Sequence, residues 1–521
     1  MDPVAITFAI LVAVVIAFVS NRIPVAIVAL GASLALWFTG VLDLQQSLAG
    51  FGDPAVIFIA CLFVVSEALD RTGVTTWAGQ QLIARVGDSR SRLIVLMMLL
   101  VAGLTAIISV NGAVAALLPV VVVIAVRLRR TTSQLLMPLV FGAHAGSMLT
   151  LTGTPVNVIV NDYASEVVGR PFGYFEFALV GVPLVAGAIA IVVLFGERLL
   201  PNRRVRSLPS DFSAHARTLV EQYRLGVDGD SMVDRERGLA EVVIPPRSGL
   251  VGEQVFPGMI TESGDLVILA IQRGGEDVAP GETTLAVGDT LLLGGAWEAL
   301  DTNLADPDVL VVDHPDLVRR QVVPLGRGSR EAIAVMAGMV ILLATGIVPS
   351  AVAGLLAVIA LVLLRVVPMD AAYRAINWTT VILVAGMIPL STAMTQTGAA
   401  NLIADALVGV VGGMGPYALL AGLFLITAVF GQLISNMATA LIVIPVAVAA
   451  AFELGVSPQP VLMSVTVAAA AAFLTPVATP VNMMVMEPGG YAFGDYWKLG
   501  LPLLLLFFAV AVFLVPVYWA F

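Results

Sequence analysis

Ten apolar runs of helical length constrain this chain more than any other feature. They lie near 4–20, 23–40, 55–70, 134–162 and 175–197, and again near 331–347, 350–365, 378–394, 459–486 and 498–519. A hydrocarbon core about 30 Å thick takes roughly 20 residues of α-helix to cross. Inside it, every backbone N–H and C=O needs a partner within the protein. Composition agrees: 59% of the 521 residues are hydrophobic and 12% are charged, against roughly 25% charged in soluble domains. The chain therefore reads as an all-α polytopic membrane protein. Its first run has no basic segment before it and is read as the first span, not a removed leader. A lone cysteine, Cys61, rules out a disulfide framework within the chain.

Two further stretches, 92–127 and 416–451, are broken near the middle by small and polar residues. They contain "ISVNGAVAALLP" (108–119) and "ISNMATALIVIP" (434–445). Arms of about 15–17 residues are short for a full crossing at 1.5 Å per residue. Each stretch is expected to be a re-entrant hairpin. The halves also repeat. At an offset of 325, Pro24 matches Pro349, Ser66 matches Ser391, and "TPVN" at 154–157 matches "TPVN" at 479–482; Ser109 matches Ser435 at 326.

The expected organisation is a first transmembrane repeat (1–198) with a hairpin at 92–127 and a broken helix at 134–162. A cytosolic linker and small α+β domain follow at 199–330. A second transmembrane repeat (331–521) carries a hairpin at 416–451 and a broken helix at 459–486. Basic residues set the orientation. With Arg22, Arg71, Arg127, Arg129, Arg203, Arg204, Arg206, Arg365 and Lys498 inside, Arg170 alone of 26 basic residues falls outside. Both termini then lie outside and the insert is cytoplasmic, in a cell inner (plasma) membrane. Each half has five spans plus a hairpin, so the halves are inverted repeats, a secondary-transporter design.

The chemistry sits at the breaks. Pro155 and Pro480 each remove a backbone donor and disfavour helix in the preceding Thr154 and Thr479. Exposed carbonyls with Ser, Thr and Asn oxygens suit Na⁺, and helix N-termini beyond the breaks suit an anion. The alternative is that these residues only kink helices and glue neighbours. A carboxylate at either tip, as a cation/proton antiporter would want, is absent from the sequence there. That class, or a proton-coupled anion transporter on the same fold, is the alternative function. No nucleophile–base constellation or phosphate loop is visible, so no enzyme is expected. His144, in "FGAHAGSM", is read as a histidine bonded between helices, with a proton site or substrate contact as the alternative.

On the hairpin tips and the two "TPVN" motifs, the chain resembles the divalent-anion:sodium symporter (DASS) family of the ion-transporter superfamily. The resemblance covers nearly the whole membrane part. It implies secondary active import of a small, divalent anion, dicarboxylate or sulfate-like, coupled to sodium by an elevator mechanism in a homodimer. By match, one sodium involves Thr105, Ser109, Asn111 and the backbone of Gly153. The second involves Ser435, Asn436 and the backbone of Ala478. The substrate would lie among Ser109, Asn111, Gly112, Thr154, Pro155, Asn157, Asn436, Met437, Thr479, Pro480 and Asn482. The chain departs from the family pattern at Val110, Gly431 and Met437, where a sodium ligand or hydroxyl is usual. Residues 239–305, ending in "GDTLLLGG", resemble the C-terminal regulatory domain of potassium-transport (TrkA-type) proteins. That resemblance implies self-pairing, with or without an unidentified small ligand. The implied partners are sodium, an anionic substrate, the lipid bilayer and a second copy, with no nucleic acid polymer.

Overall fold

A computed structural model describes the chain except for residues 1, 21, 86–88, 129, 204–214, 224–231, 233–235, 279–280, 305, 314–317, 319–324 and 412–413. The inside arginines Arg129, Arg204 and Arg206 lie outside the described residues. The chain forms two compact units. One comprises Met1–Ala68, Gln81–Pro209 and Arg330–Phe521; the other comprises Leu69–Gln80 and Ser210–Ser329.

The first unit is helical and built for a bilayer. Among the described residues, seven helices are long and apolar enough to cross a membrane. Broken and shorter apolar helices add to them, including Val25–Phe38 and Ser350–Leu363. The early spans of the two halves interlock with a two-fold logic. Val25–Phe38 packs on Trp378–Thr397, where a Cβ on Gly386 would lie 2.8 Å from the Ala29 carbonyl carbon. Pro54–Arg71 in turn meets Ser350–Leu363, with a Cβ on Gly354 2.9 Å from Phe58 and from Cys61. The second half repeats the first half's order of elements, with hairpin and broken span at the matching places, as an inverted repeat requires.

The hairpins are Arg90–Thr105 with Val110–Arg127, and Pro416–Leu433 with Asn436–Glu453. Three of these arms run to 18 residues, longer than the 15–17 expected. At 1.5 Å per residue that is about 27 Å, so length does not separate arm from span. The tips do. They are hydrogen-bonded inside the bundle to the breaks of other spans, where a full crossing would have placed them in water.

The second unit carries an antiparallel sheet. Its strands are β1 (Arg237–Val243), β2 (Gln254–Val255), β3 (Leu266–Arg273), β4 (Glu276–Asp277), β5 (Thr283–Thr284), β6 (Thr290–Ala296) and β7 (Leu310–Val311). The order β4-β3-β6-β1-β7 makes a five-stranded sheet, and β2-β5 form a second pair. Alternation, reset on β3 by an irregularity between Ile268 and Ala270, puts Val242, Ile268, Ile271, Leu291 and Leu293 into a core closed by Trp297 and Leu300. Leu69–Gln80, which the sequence places in the first repeat, belongs here because the amide of Gly326 donates to the Thr72 carbonyl at 2.8 Å.

The "GD" of "GDTLLLGG" has a structural reason. Gly288 takes φ +85°, and the buried Asp289 carboxylate accepts two 2.7 Å hydrogen bonds from the Arg273 guanidinium and one from the Ala286 amide. The Arg273 bonds hold the Asp289 carboxyl below its ordinary value, against the opposing effect of burial. A depressed folded value stabilises the sheet above the unfolded carboxylate value of about 3.9, and that contribution is lost as pH falls through the folded value. The protection of β3 and β6 amides from hydrogen exchange, relative to the intrinsic rate at each pH, is therefore expected to fall on acidification below about pH 4. Asp289→Asn is expected to flatten that acid response and to quicken exchange at neutral pH.

Candidate functional site

Each repeat breaks one span in the same way. In the first half, the helix Leu136–Gly146 stops, a 3₁₀ turn follows at Leu151–Gly153, and Pro155–Val168 resumes. In the second, Pro458–Ala470 stops, the turn is Pro476–Ala478, and Pro480–Met484 resumes. Thr154 and Thr479 are both extended, at φ −150° and −146°, as the residue before proline should be. Both prolines stand at the first helical position, where a missing N–H costs nothing.

Unwinding leaves carbonyls that hydrocarbon cannot solvate. The asparagines of the two "TPVN" motifs bond them. Asn157 Nδ2 donates to the carbonyls of Ser147 (3.0 Å) and Thr150 (2.8 Å). Asn482 Nδ2 donates to those of Ala472 and Thr475, both at 2.9 Å. In each half the acceptors lie ten and seven residues back. These amides are struts of the breaks, a role the spacing did not predict. The last span of each half closes the same gap with a glycine. A Cβ on Gly181 would lie 2.2 Å from the Met148 carbonyl oxygen, and one on Gly500 2.3 Å from that of Phe473. Met148 and Phe473 are themselves 325 apart.

The hairpin tips are tied to these breaks. In the first half, the hydroxyls of Thr150 and Thr152 donate to the Ala106 carbonyl at the tip, and Thr152 is bonded to the Tyr174 hydroxyl at 2.9 Å. In the second, Gln432 performs this task. Its Nε2 donates to the Ala471 carbonyl at 3.1 Å and its Oε1 accepts from the Leu474 amide at 2.9 Å. Sequence reasoning passed over Gln432; a lone amide in the apolar arm "FGQL" was its signal.

Thr105 closes the first arm, fully buried, and donates to the carbonyls of Val101 and Ala102. Its acceptor lone pairs remain. Ser109 and Ser435 cap the second arms, accepting from the amides of Gly112 (3.2 Å) and Ala438 (3.3 Å). Asn111, Gly112, Asn436 and Met437 follow in those first turns, half-buried. Gly153 is buried at the first break, with a Cβ position 2.1 Å from the Ser147 carbonyl oxygen. Ala478 is buried at the second, beside Thr479, with Pro480 exposed. The second arm of each hairpin packs against the resumed helix of the other half: Val110–Arg127 against Pro480–Met484, and Asn436–Glu453 against Pro155–Val168. The four helices that begin at the tips and breaks, each with a positive dipole end, are thus cross-braced in two pairs between the halves.

Several buried side-chain oxygens lack a hydrogen-bond partner, and one of them is on the residue that opens the second arm of the second hairpin. Asn436 Oδ1 is enclosed and makes no hydrogen bond. The nearest atom to a Cβ built on Gly431 is this oxygen, at 3.7 Å. A buried acceptor without a donor costs about 1–3 kcal/mol, unless a cation meets it. The donor set at this tip, an amide oxygen with nearby hydroxyl and carbonyl oxygens, is hard-oxygen chemistry of the sodium type.

The two breaks are not equivalent. Asn157 Oδ1 is buried with no hydrogen-bond partner, whereas Asn482 Oδ1 is 3.3 Å from His144 Nε2. Since Asn482 gives both amide protons to carbonyls, its oxygen accepts and His144 Nε2 carries the proton. The same nitrogen lies 3.3 Å from Thr479 Oγ1. His144 therefore bonds between helices, as its sequence suggested, and the helix it reaches belongs to the other half. Removing it leaves Asn482 Oδ1 unpaired and Thr479 free to rotate. His144→Ala is expected to raise the half-saturating substrate concentration in uptake assays about tenfold, a loss of about 1.4 kcal/mol, with His144→Gln restoring part of it. Unchanged saturation curves would remove His144 from this role.

Comparisons with known proteins agree with this architecture. Residues 15–468 and 416–521 match the family described as citrate transporter (CitMHS). A protein of Escherichia coli strain K12, "Uncharacterized transporter YfbS", is 31% identical across 97% of this chain and 98% of its own length. "Sodium/sulfate cotransporter 1" of Chlamydomonas reinhardtii is 24% identical over 57% of this chain and 34% of its own. "Solute carrier family 13 member 2" of Rattus norvegicus is 30% identical over 26% of this chain and 24% of its own.

Proposed function

The chain belongs to the citrate transporter family, and from that premise we propose that it is a sodium-coupled importer of a small divalent anion. It is a multi-pass membrane protein and a transporter, not an enzyme. The observation that carries the finer reading is the enclosed, unpartnered Asn436 Oδ1 at a hairpin tip. An oxygen aimed into protein without a donor suits a cation that arrives and leaves with the substrate. The names of the sodium/sulfate relatives point to the same coupling ion.

In this reading one sodium meets Ser435, Asn436 and the Ala478 carbonyl, and the other meets Thr105, Ser109, Asn111 and the Gly153 carbonyl. The anion lies between the tips, near Gly112, Thr154, Pro155, Met437, Thr479 and Pro480, where first-turn amides supply donors. Asn157 and Asn482 hold the breaks in shape behind it. Met437 makes the second half of the pocket less polar than the first, so the anion sits asymmetrically. The hairpins and broken spans move together as an elevator, and the interlocked early spans form the scaffold of a homodimer. Tyr163, on the first broken span, shares a hydrogen bond with Ser391 of Trp378–Thr397, a link that such movement breaks. The chain lies in the plasma membrane with both termini outside. The 199–330 insert is a cytosolic TrkA-C-type module that regulates transport, through self-pairing or a small ligand.

The test is uptake into proteoliposomes of radiolabelled sulfate, succinate, citrate and phosphate under an inward sodium gradient. One divalent anion should accumulate and be competed by its unlabelled form. Failure of all four would overturn the substrate class.

A further inference from the structure

At the base of the first hairpin, remote in sequence from the tips, a cavity of about 520 Å³ is lined by Arg90, Arg130, Thr131, Gln134, Leu135, Glu197 and Asn202. We infer that it binds the phosphate headgroup of an anionic membrane lipid. Four elements converge there. Arg90 opens the first hairpin arm, Arg130 lies just past the second, Thr131–Leu135 lead into the broken span, and Glu197 lies in the last turn of Ala178–Leu199.

Charge favours an anion. Two guanidiniums face one carboxylate. Arg90 is close enough to Glu197 and Arg130 to feel the attraction of the first and a smaller repulsion from the second. Guanidinium forks match phosphate oxygens with two parallel bonds. Polar groups complete the wall, and they are held in place. Gln134 accepts from Arg90 Nη2 at 3.5 Å and donates to the carbonyls of Leu200 and Pro201. Ser133 Oγ donates to Pro201 at 2.8 Å.

The surroundings favour a lipid over a free ion. The volume falls within the ~300–1,000 Å³ that encloses a ligand of drug size, far more than one phosphate needs. Leu194 stands one turn before Glu197 on the same helix face and is 69% exposed, with Phe195 beside it at 50%. An apolar track thus runs along the span from the cavity toward the bilayer interior, where acyl chains lie. Basic pockets between membrane helices near the interface take anionic headgroups in this way. The lipid would tie the hairpin base to the last span of its own half.

The test uses the full chain, purified in detergent. Its thermal unfolding midpoint is measured with added phosphatidylglycerol, phosphatidylcholine or inorganic phosphate, and bound lipid is counted by native mass spectrometry. Phosphatidylglycerol should stabilise and co-purify, and the other two should not. Arg130→Gln should weaken the lipid about fivefold, the worth of one interfacial cation. Glu197→Gln, an exposed change that folding tolerates, should strengthen it. Equal effects of the two lipids, reproduction by inorganic phosphate alone, or a Glu197→Gln protein with unaltered lipid affinity would overturn the inference.

Discussion

Asn436→Ala protein is expected to fold and insert as well as the parent and to lose sodium-driven uptake. The two halves of that result have one cause. Asn436 Oδ1 is enclosed without a donor, so removing that oxygen breaks no hydrogen bond. Deleting an unsatisfied buried acceptor is neutral or stabilising by about 1 kcal/mol. A hydrogen-bond-like contact to a charged partner contributes about 1.5–3 kcal/mol, so the coupling ion should bind some 10- to 100-fold more weakly. Asn482→Ala makes the contrast. It strips bonds from the Ala472 and Thr475 carbonyls and from His144, and it should lower folded yield. Size-exclusion profiles and sodium titrations of uptake, run on both variants, separate an ion ligand from a strut. An Asn436→Ala protein that transports normally would remove Asn436 from the ion site.

Gly153→Ala should be among the most damaging single methyls in the membrane part. The added Cβ would sit 2.1 Å from the Ser147 carbonyl oxygen, and that obstacle is backbone, with no rotamer to yield. Ser147 is also pinned by Asn157. The break must therefore open, at the upper end of the ~1–3 kcal/mol typical of overpacking, and the Asn157 bonds go with it. Loss of monodisperse protein, or a large fall in unfolding midpoint, is the expected reading. The second half places Ala478 at the matching position, and Ala478→Gly should cost little by comparison. Equal tolerance at the two positions would contradict the close approach at Gly153.

Much of this geometry was legible in the sequence because the features that make it are local. Prolines at 155 and 480 dictate extended threonines before them and helix starts at them. Serines at 109 and 435 cap the helices that follow. Apolar runs and their offset of 325 placed the spans, and the tips were found where small polar residues interrupt them. The bridging residues were harder to see because their partners lie far along the chain. His144 meets Asn482 and Thr479 338 and 335 residues away, and no periodicity encodes such a pair. Gln432 looks like an ordinary polar residue of an apolar arm until the break at Ala471–Leu474 packs beside it. The strut role of Asn157 and Asn482 was hidden for a related reason. A motif gives their spacing from the proline, whereas the carbonyls they bond exist as free acceptors only once the helix has unwound.

The most direct test of the central claim is anion uptake into proteoliposomes with sodium outside, repeated with choline in its place. The account predicts accumulation of a divalent anion in sodium and a fall to the leak of protein-free vesicles in choline. Uptake that is the same in the two salts would contradict sodium coupling at the hairpin tips.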